Sequence, residues 1–197
     1  MEVHGLINRA IQTFLRDTYG AATWRRIARE ADLGFDSFEP MLLYKRAQTV
    51  AVIKAATRIL DRTPDSLLED LGTALVSRSN TDPVRRLMRF GGVTFVDFLH
   101  SLEELRGRGR MAVHDLDLPD LQLDEAGPQI YRLTCTTKLP GATQVLTGLL
   151  RAMADDYGAL VLLEYDACSR QGDAILVHLL DQNHAMARPF DLAAPGV

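Results

Sequence analysis

Along the first half of the chain, apolar residues recur three and four positions apart. Leu6, Ile7, Ala10, Ile11, Phe14 and Leu15 fall on one side of a helix predicted from Gly5 to Asp17, closed by Tyr19-Gly20. Trp24, Ile27, Ala28 and Ala31 mark a second helix over 22–31. After a looser stretch with Gly34 and Pro40, Ala47, Val50, Ala51, Ala55 and Ile59 predict a helix from Tyr44 to Leu60. Thr63-Pro64-Asp65 reads as an N-cap, a first-turn proline and a first-turn acid. Leu67, Leu68, Leu71, Leu75 and Val76 continue the helix that it opens.

The second half mixes two periods. Asp82-Pro83 opens a short helix through Leu87 that breaks at Gly91-Gly92. Thr94 is the next N-cap, with Asp97 placed where a carboxylate is favourable against the helix dipole. Phe95, Phe98, Leu99, Leu102 and Leu105 then form an apolar stripe, and Gly107-Arg108-Gly109-Arg110 reads as a flexible stretch. Leu116, Leu118, Leu121 and Leu123 alternate around Pro119, followed by Ile130, Leu133 and Cys135. Pro140-Gly141 precedes a helix from Ala142 to Asp156 bearing Val145, Leu146, Leu149, Leu150 and Met153. Ala159–Tyr165 and Ala174–Leu180 read as strands joined by a hairpin through Ser169–Asp173. Helices followed by strands give an α+β class, with an antiparallel sheet packed against helices.

Composition narrows the function classes. The 197 residues are a one-domain length, and 47% hydrophobic with 24% charged residues is ordinary for a soluble globular chain. A net charge of -4 argues against a nucleic-acid binder held by phosphate contacts. No apolar run approaches the roughly 20 residues of a membrane span, and Met1–Gly5 lacks the features of a signal peptide. The two cysteines, Cys135 and Cys168, build no disulfide framework. A cytoplasmic protein with no nucleic-acid or membrane partner is expected. No nucleophile–base–acid set or phosphate loop is present, which argues against an enzyme. Glu103-Glu104 and Asp155-Asp156 read as pairs on solvated helix faces.

The order of these strings resembles the heme-nitric oxide/oxygen-binding (H-NOX) family. Gly5–Ile11 with Tyr19-Gly20 and Trp24 looks like its first two helices, and Leu60–Gly72 like its next landmark. Phe95–Leu105 resembles the helix carrying the heme ligand, and Gly148-Leu149-Leu150-Arg151 with the two strands after it the C-terminal part. The resemblance implies one domain over 1–190, with a helical subdomain (1–62), an α/β subdomain (63–190) and a tail (191–197). It also implies heme b, held by a proximal His and a Tyr-x-Ser-x-Arg motif at the propionates.

Both holding elements are altered here. The proximal position falls on Arg106, a register supported by Pro119 downstream. The three motif positions fall on Thr136, Lys138 and Pro140. By resemblance Ile7, Ile11 and Val145 line the distal side. All are apolar, and with no Tyr there a bound heme would favour NO over oxygen. His100 and His114 are the alternative axial ligands. His100 lies about 140° around the helix from Phe95, away from the apolar stripe. His114 would have to swing in from a loop. Cys135 reads as a small core residue and Cys168 as an exposed turn residue. Arg106 either reaches water at a helix C-terminus or points into the cavity to meet an anion.

The expected function is a non-enzymatic sensory or regulatory domain with weakened or lost heme binding. A true heme-binding NO sensor with a non-standard axial ligand is the alternative. With the whole length used by one module, output would pass to a separate protein, of histidine kinase or diguanylate cyclase type.

Overall fold

The computed structural model describes residues 2–77, 82–166 and 173–188. The Cys168 turn, most of the hairpin through Ser169–Asp173 and the tail 191–197 lie outside the described residues.

Strand β1 (Glu2–His4) leads directly into helix α1 (Gly5–Tyr19). His4 caps that helix, its Nδ1 accepting the Leu6 N–H at 3.2 Å. β1 pairs antiparallel with β2 (Leu43–Lys45), joining Val3 to Tyr44. These three-residue strands are too short to show alternation, so periodicity reveals neither and places the start of the third helix too early. Between β1 and β2 come α1 and α2 (Ala21–Glu30), and α3 (Arg46–Leu60) comes after β2.

The expected cap at Thr63 is present. Its Oγ1 accepts the Ser66 N–H at 3.3 Å, and its carbonyl takes the Leu67 N–H, opening α4 (Pro64–Ser77). Helix α5 (Asp82–Arg89) is next, then α6 (Phe95–Ser101). Thr94 and Asp97 form a reciprocal box at the start of α6: Oγ1 accepts the Asp97 N–H at 3.1 Å, and Oδ2 accepts the Thr94 N–H at 2.9 Å.

The ligand-helix region departs from expectation. After Ser101 comes a 3-10 turn (Leu102–Glu104), then a separate helix α7 (Leu105–Ala112). The stretch expected to be flexible, Gly107–Arg110, is therefore helical. Gly109 serves packing rather than freedom, since a Cβ there would lie 2.7 Å from Leu118 Cδ1.

Strands β3 (Asp120–Gly127), β4 (Ile130–Thr136), β5 (Leu160–Asp166) and β6 (Asp173–Asp181) form one antiparallel sheet in the order β3-β4-β6-β5. The register puts Leu123 beside Leu133 and Leu133 beside Ile175, so one face is a continuous apolar layer beneath the helices. The alternation around Pro119 becomes strand only from Asp120. Proline donates no ladder hydrogen bond.

Two apolar clusters meet along α4 and α8 (Ala142–Tyr157). Helix α4 gives Leu67, Leu68, Leu71 and Ala74 to the N-terminal cluster and Val76 to the C-terminal one. The helices cross at glycines. A Cβ on Gly72 would lie 1.9 Å from the Val145 carbonyl oxygen, and one on Gly148 would lie 1.9 Å from that of Glu69. Only at this backbone-to-backbone distance can α8 turn Val145 toward one cluster and Leu149 and Leu150 toward the other.

Candidate functional site

The segment from Phe95 to Ala112 contains Arg106, the position expected from sequence to correspond to the proximal ligand. A straight helix would carry Arg106 on the same face as Leu99 and Leu102. The tightened turn at Leu102–Glu104, which stays right-handed helical at Ser101, Leu102, Glu104 and Leu105, shifts that alignment. A 3-10 turn advances about 120° per residue against about 100° in an α-helix, so three such residues rotate α7 by about 60° relative to α6. Arg108 stabilises the turn, donating from Nη2 to the Ser101 carbonyl at 2.7 Å and from Nη1 to the Leu87 carbonyl at 3.3 Å.

Arg106 consequently sits in the first turn of α7, not at a helix C-terminus. Its Nη2 donates to Asp117 Oδ1 at 2.9 Å, and Arg110 approaches the same oxygen at 3.5 Å. The Arg106 side chain is 35% exposed and that of Asp117 64%, so this pair lies at the protein–water boundary. Nη2 reaches this boundary while Nε is buried without a hydrogen-bond partner, and Asp117 is a carboxylate partner that the sequence did not suggest.

Inside that boundary the face is closed. Phe98, Leu99, Leu102, Leu133, Leu150 and Met153 are each 0% exposed. A water-sized sphere therefore touches none of them. Pro119 is half-buried in the connection before β3.

The other predicted positions separate into two groups. Ile7, Ile11 and Val145 do come together, all in the N-terminal apolar cluster. Leu67, Leu68 and Leu71 of α4, which the sequence did not single out, join Ile11 around a gap too narrow to admit a water-sized sphere. Thr136, Lys138 and Pro140 are all exposed on the run from β4 into α8.

Neither histidine candidate enters the core. His100 is exposed on α6, its ring edge-on to Tyr131 at 6.3 Å. His114 is 98% exposed beside Asp115. Cys135 is buried on the sheet face under the helices, and burial pushes its thiol pKa up, away from the thiolate that ligates metals.

The residues at the positions that the family resemblance assigns to heme b do not fit it. A guanidinium has no lone pair to give to iron. The anchor positions supply one exposed lysine, and the interior face is filled by side chains. Among the described residues no group of three His, Cys, Asp or Glu is placed to hold a metal ion.

The reading of Asp155-Asp156 as a solvated pair requires correction at Asp156, which is 3% exposed. Arg85 donates to its Oδ1 from Nε at 3.0 Å and Nη2 at 2.7 Å, and Arg89 Nε stands 3.6 Å from Oδ2. Arg89 also lies 4.0 Å over the Tyr157 ring. This network ties α5 to the end of α8. Adjacent sequence gave no sign of it because both arginines are about 70 residues away.

The architecture is that of a known domain class. A family model described as Haem-NO-binding matches residues 4–164, and the chain belongs to that family. Curated relatives include soluble guanylate cyclase 89Db of Drosophila melanogaster, 22% identical over 167 residues, which are 83% of this chain and 24% of the relative. Soluble guanylate cyclase gcy-31 of Caenorhabditis elegans is 21% identical over 154 residues, 78% of this chain and 22% of that protein. The chain thus spans about a quarter of the length of these relatives. Among solved structures, the Fe(II) unliganded H-NOX protein from K. algicida superposes with a TM-score of 0.77 at 14% identity, covering 92% of this chain and 97% of that one. The Fe(II)NO form of the S. oneidensis H-NOX protein gives 0.76 at 12% identity, covering 91% and 100%. The fold is that of the H-NOX domain.

Proposed function

We propose that this chain is an H-NOX-fold regulatory module that works with weakened or lost heme binding and passes its signal to a separate protein. The observation that carries the reading is the placement of Arg106. The side chain at the expected ligand position is a permanent cation, which follows a 3-10 turn and pairs with Asp117 at the protein–water boundary. The exposed Thr136, Lys138 and Pro140 and the filled face at Leu102 support the same reading.

The module performs no catalysis of its own in this account. Its output partner is of histidine kinase or diguanylate cyclase type and its setting is cytoplasmic. No described helix is long and apolar enough to cross a membrane. The test is the heme content per chain of protein purified from heme-replete cells, measured as pyridine hemochrome. Substoichiometric heme supports the proposal. One heme per chain with an NO-responsive spectrum would favour a true NO sensor with a non-standard axial ligand.

A further inference from the structure

The two edges of the four-stranded sheet are finished differently. On the β3 edge, Glu103 Oε1 accepts the outward Leu123 N–H at 3.1 Å. That strand also carries a bulge between Glu125 and Gly127 and exposes Asp120, Asp124 and Glu125. A capped, bulged and charged edge resists pairing with another strand.

The β5 edge is less protected: its register shift lies at its first step, Leu160 to Val161, and Glu164 is its one exposed carboxylate. Its sequence, Leu160-Val161-Leu162-Leu163-Glu164-Tyr165-Asp166, contains no lysine and no proline. Among the described residues nothing hydrogen-bonds the outward backbone of Leu160–Tyr165. Its two carboxylates each have a nitrogen neighbour within the sheet. Glu164 Oε2 lies 2.9 Å from His178 Nε2, and Asp166 Oδ2 lies 3.2 Å from Arg132 Nε. Apolar side chains meanwhile face water: Leu160 is 39% exposed, Leu162 48% and Leu180, on the adjoining strand, 58%.

We propose that β5 is a self-association edge, pairing antiparallel with β5 of a second copy of this chain to make one continuous sheet. The strand is complementary to itself. A two-fold axis at Leu163, its midpoint, overlaps all of Leu160–Asp166. Leu163 then meets Leu163, and each Val161 meets the partner copy's Tyr165, an aromatic–β-branched pair. Leu162 lies opposite Glu164 and Leu160 opposite Asp166, so no like charges are opposed. Leu162 and its symmetry mate extend one apolar strip across the junction. One strand per copy makes a small interface, so association is reversible and concentration-dependent. The inference does not depend on the heme reading.

Sedimentation equilibrium across a concentration series tests this. The wild-type chain is expected to show a reversible monomer–dimer equilibrium, and Leu162→Lys to weaken it by about tenfold or more while leaving the circular dichroism unchanged. Amide exchange gives a readout that needs no variant: protection of Val161–Tyr165 should rise with protein concentration. A single-chain mass up to the solubility limit, or a dimer indifferent to Leu162→Lys with no concentration-dependent protection of β5, would overturn it.

Discussion

Arg106 and Asp117 meet as an ion pair, 2.9 Å from Nη2 to Oδ1, on the outside of the helix segment that faces the sheet. The pair records the direction in which the 3-10 turn points residue 106. Restoring a histidine alone therefore does not restore a ligand. Arg106→His is expected to bind no more heme than wild type, because the imidazole would leave the helix where the guanidinium does. Soret absorbance after hemin addition checks this. A one-to-one band in the variant would mean that Leu102–Glu104 rewinds readily into continuous helix.

The crossing of α4 and α8 has no room for a methyl group. Gly148→Ala would place a Cβ 1.9 Å from the Glu69 carbonyl oxygen, and neither backbone can retreat without moving its helix. A loss of about 3 kcal/mol or more is expected, at the upper end of overpacking effects. Urea unfolding measures it. Gly107→Ala is the control, since a Cβ there meets nothing within 4 Å.

Asp156 is the buried anion between α5 and α8, and removing it strands charge. Asp156→Ala is expected to cost about 3–5 kcal/mol, the range for breaking a buried ion pair. Tyr157→Phe gives up only the 3.1 Å hydrogen bond from its hydroxyl to the Gly92 carbonyl. That loss should be about 1 kcal/mol. Parallel unfolding curves distinguish the two, and equal losses would contradict the buried network.

The box at the start of α6 gives a pH signature. Hydrogen bonds from the Thr94 backbone and hydroxyl hold the Asp97 carboxyl below the usual carboxylate range. A depressed folded-state pKa contributes stability above the ordinary Asp value, and that contribution is lost as pH falls through the lower folded value. Asp97→Ala should lower the melting temperature at neutral pH, reflecting a loss of about 1 kcal/mol. The gap to wild type should then shrink in strong acid. Melting curves across pH check it, and a gap independent of pH would show that the carboxylate is not the active group.

What the sequence revealed and what it hid divides by the range of the interactions. The Thr63 and Thr94 caps are local, each settled within three residues, and both stand where expected. The stripe of Phe95, Phe98, Leu99 and Leu102 is buried as its spacing predicted. The 3-10 turn after Ser101 was hidden because Arg108 stabilises it partly through Leu87, 21 residues back. Gly107 and Gly109 disguised α7 as loop. The meeting of Ile7, Ile11 and Val145 came from the family resemblance, whereas Leu67 and Leu71 emerged only with the fold. The pairings of Arg106 with Asp117 and of Arg85 with Asp156 depend on chain paths that periodicity does not encode.

The most direct test of the central claim is an anaerobic hemin titration of the wild-type chain, reduced and then exposed to NO. Soret absorbance and the fluorescence of Trp24, the single tryptophan, are monitored together. The account predicts no saturable one-to-one Soret band, no NO-induced shift, and no quenching of Trp24 beyond that of a free-dye control. A band that saturates at one heme per chain, moves with NO and quenches Trp24 in step would contradict it.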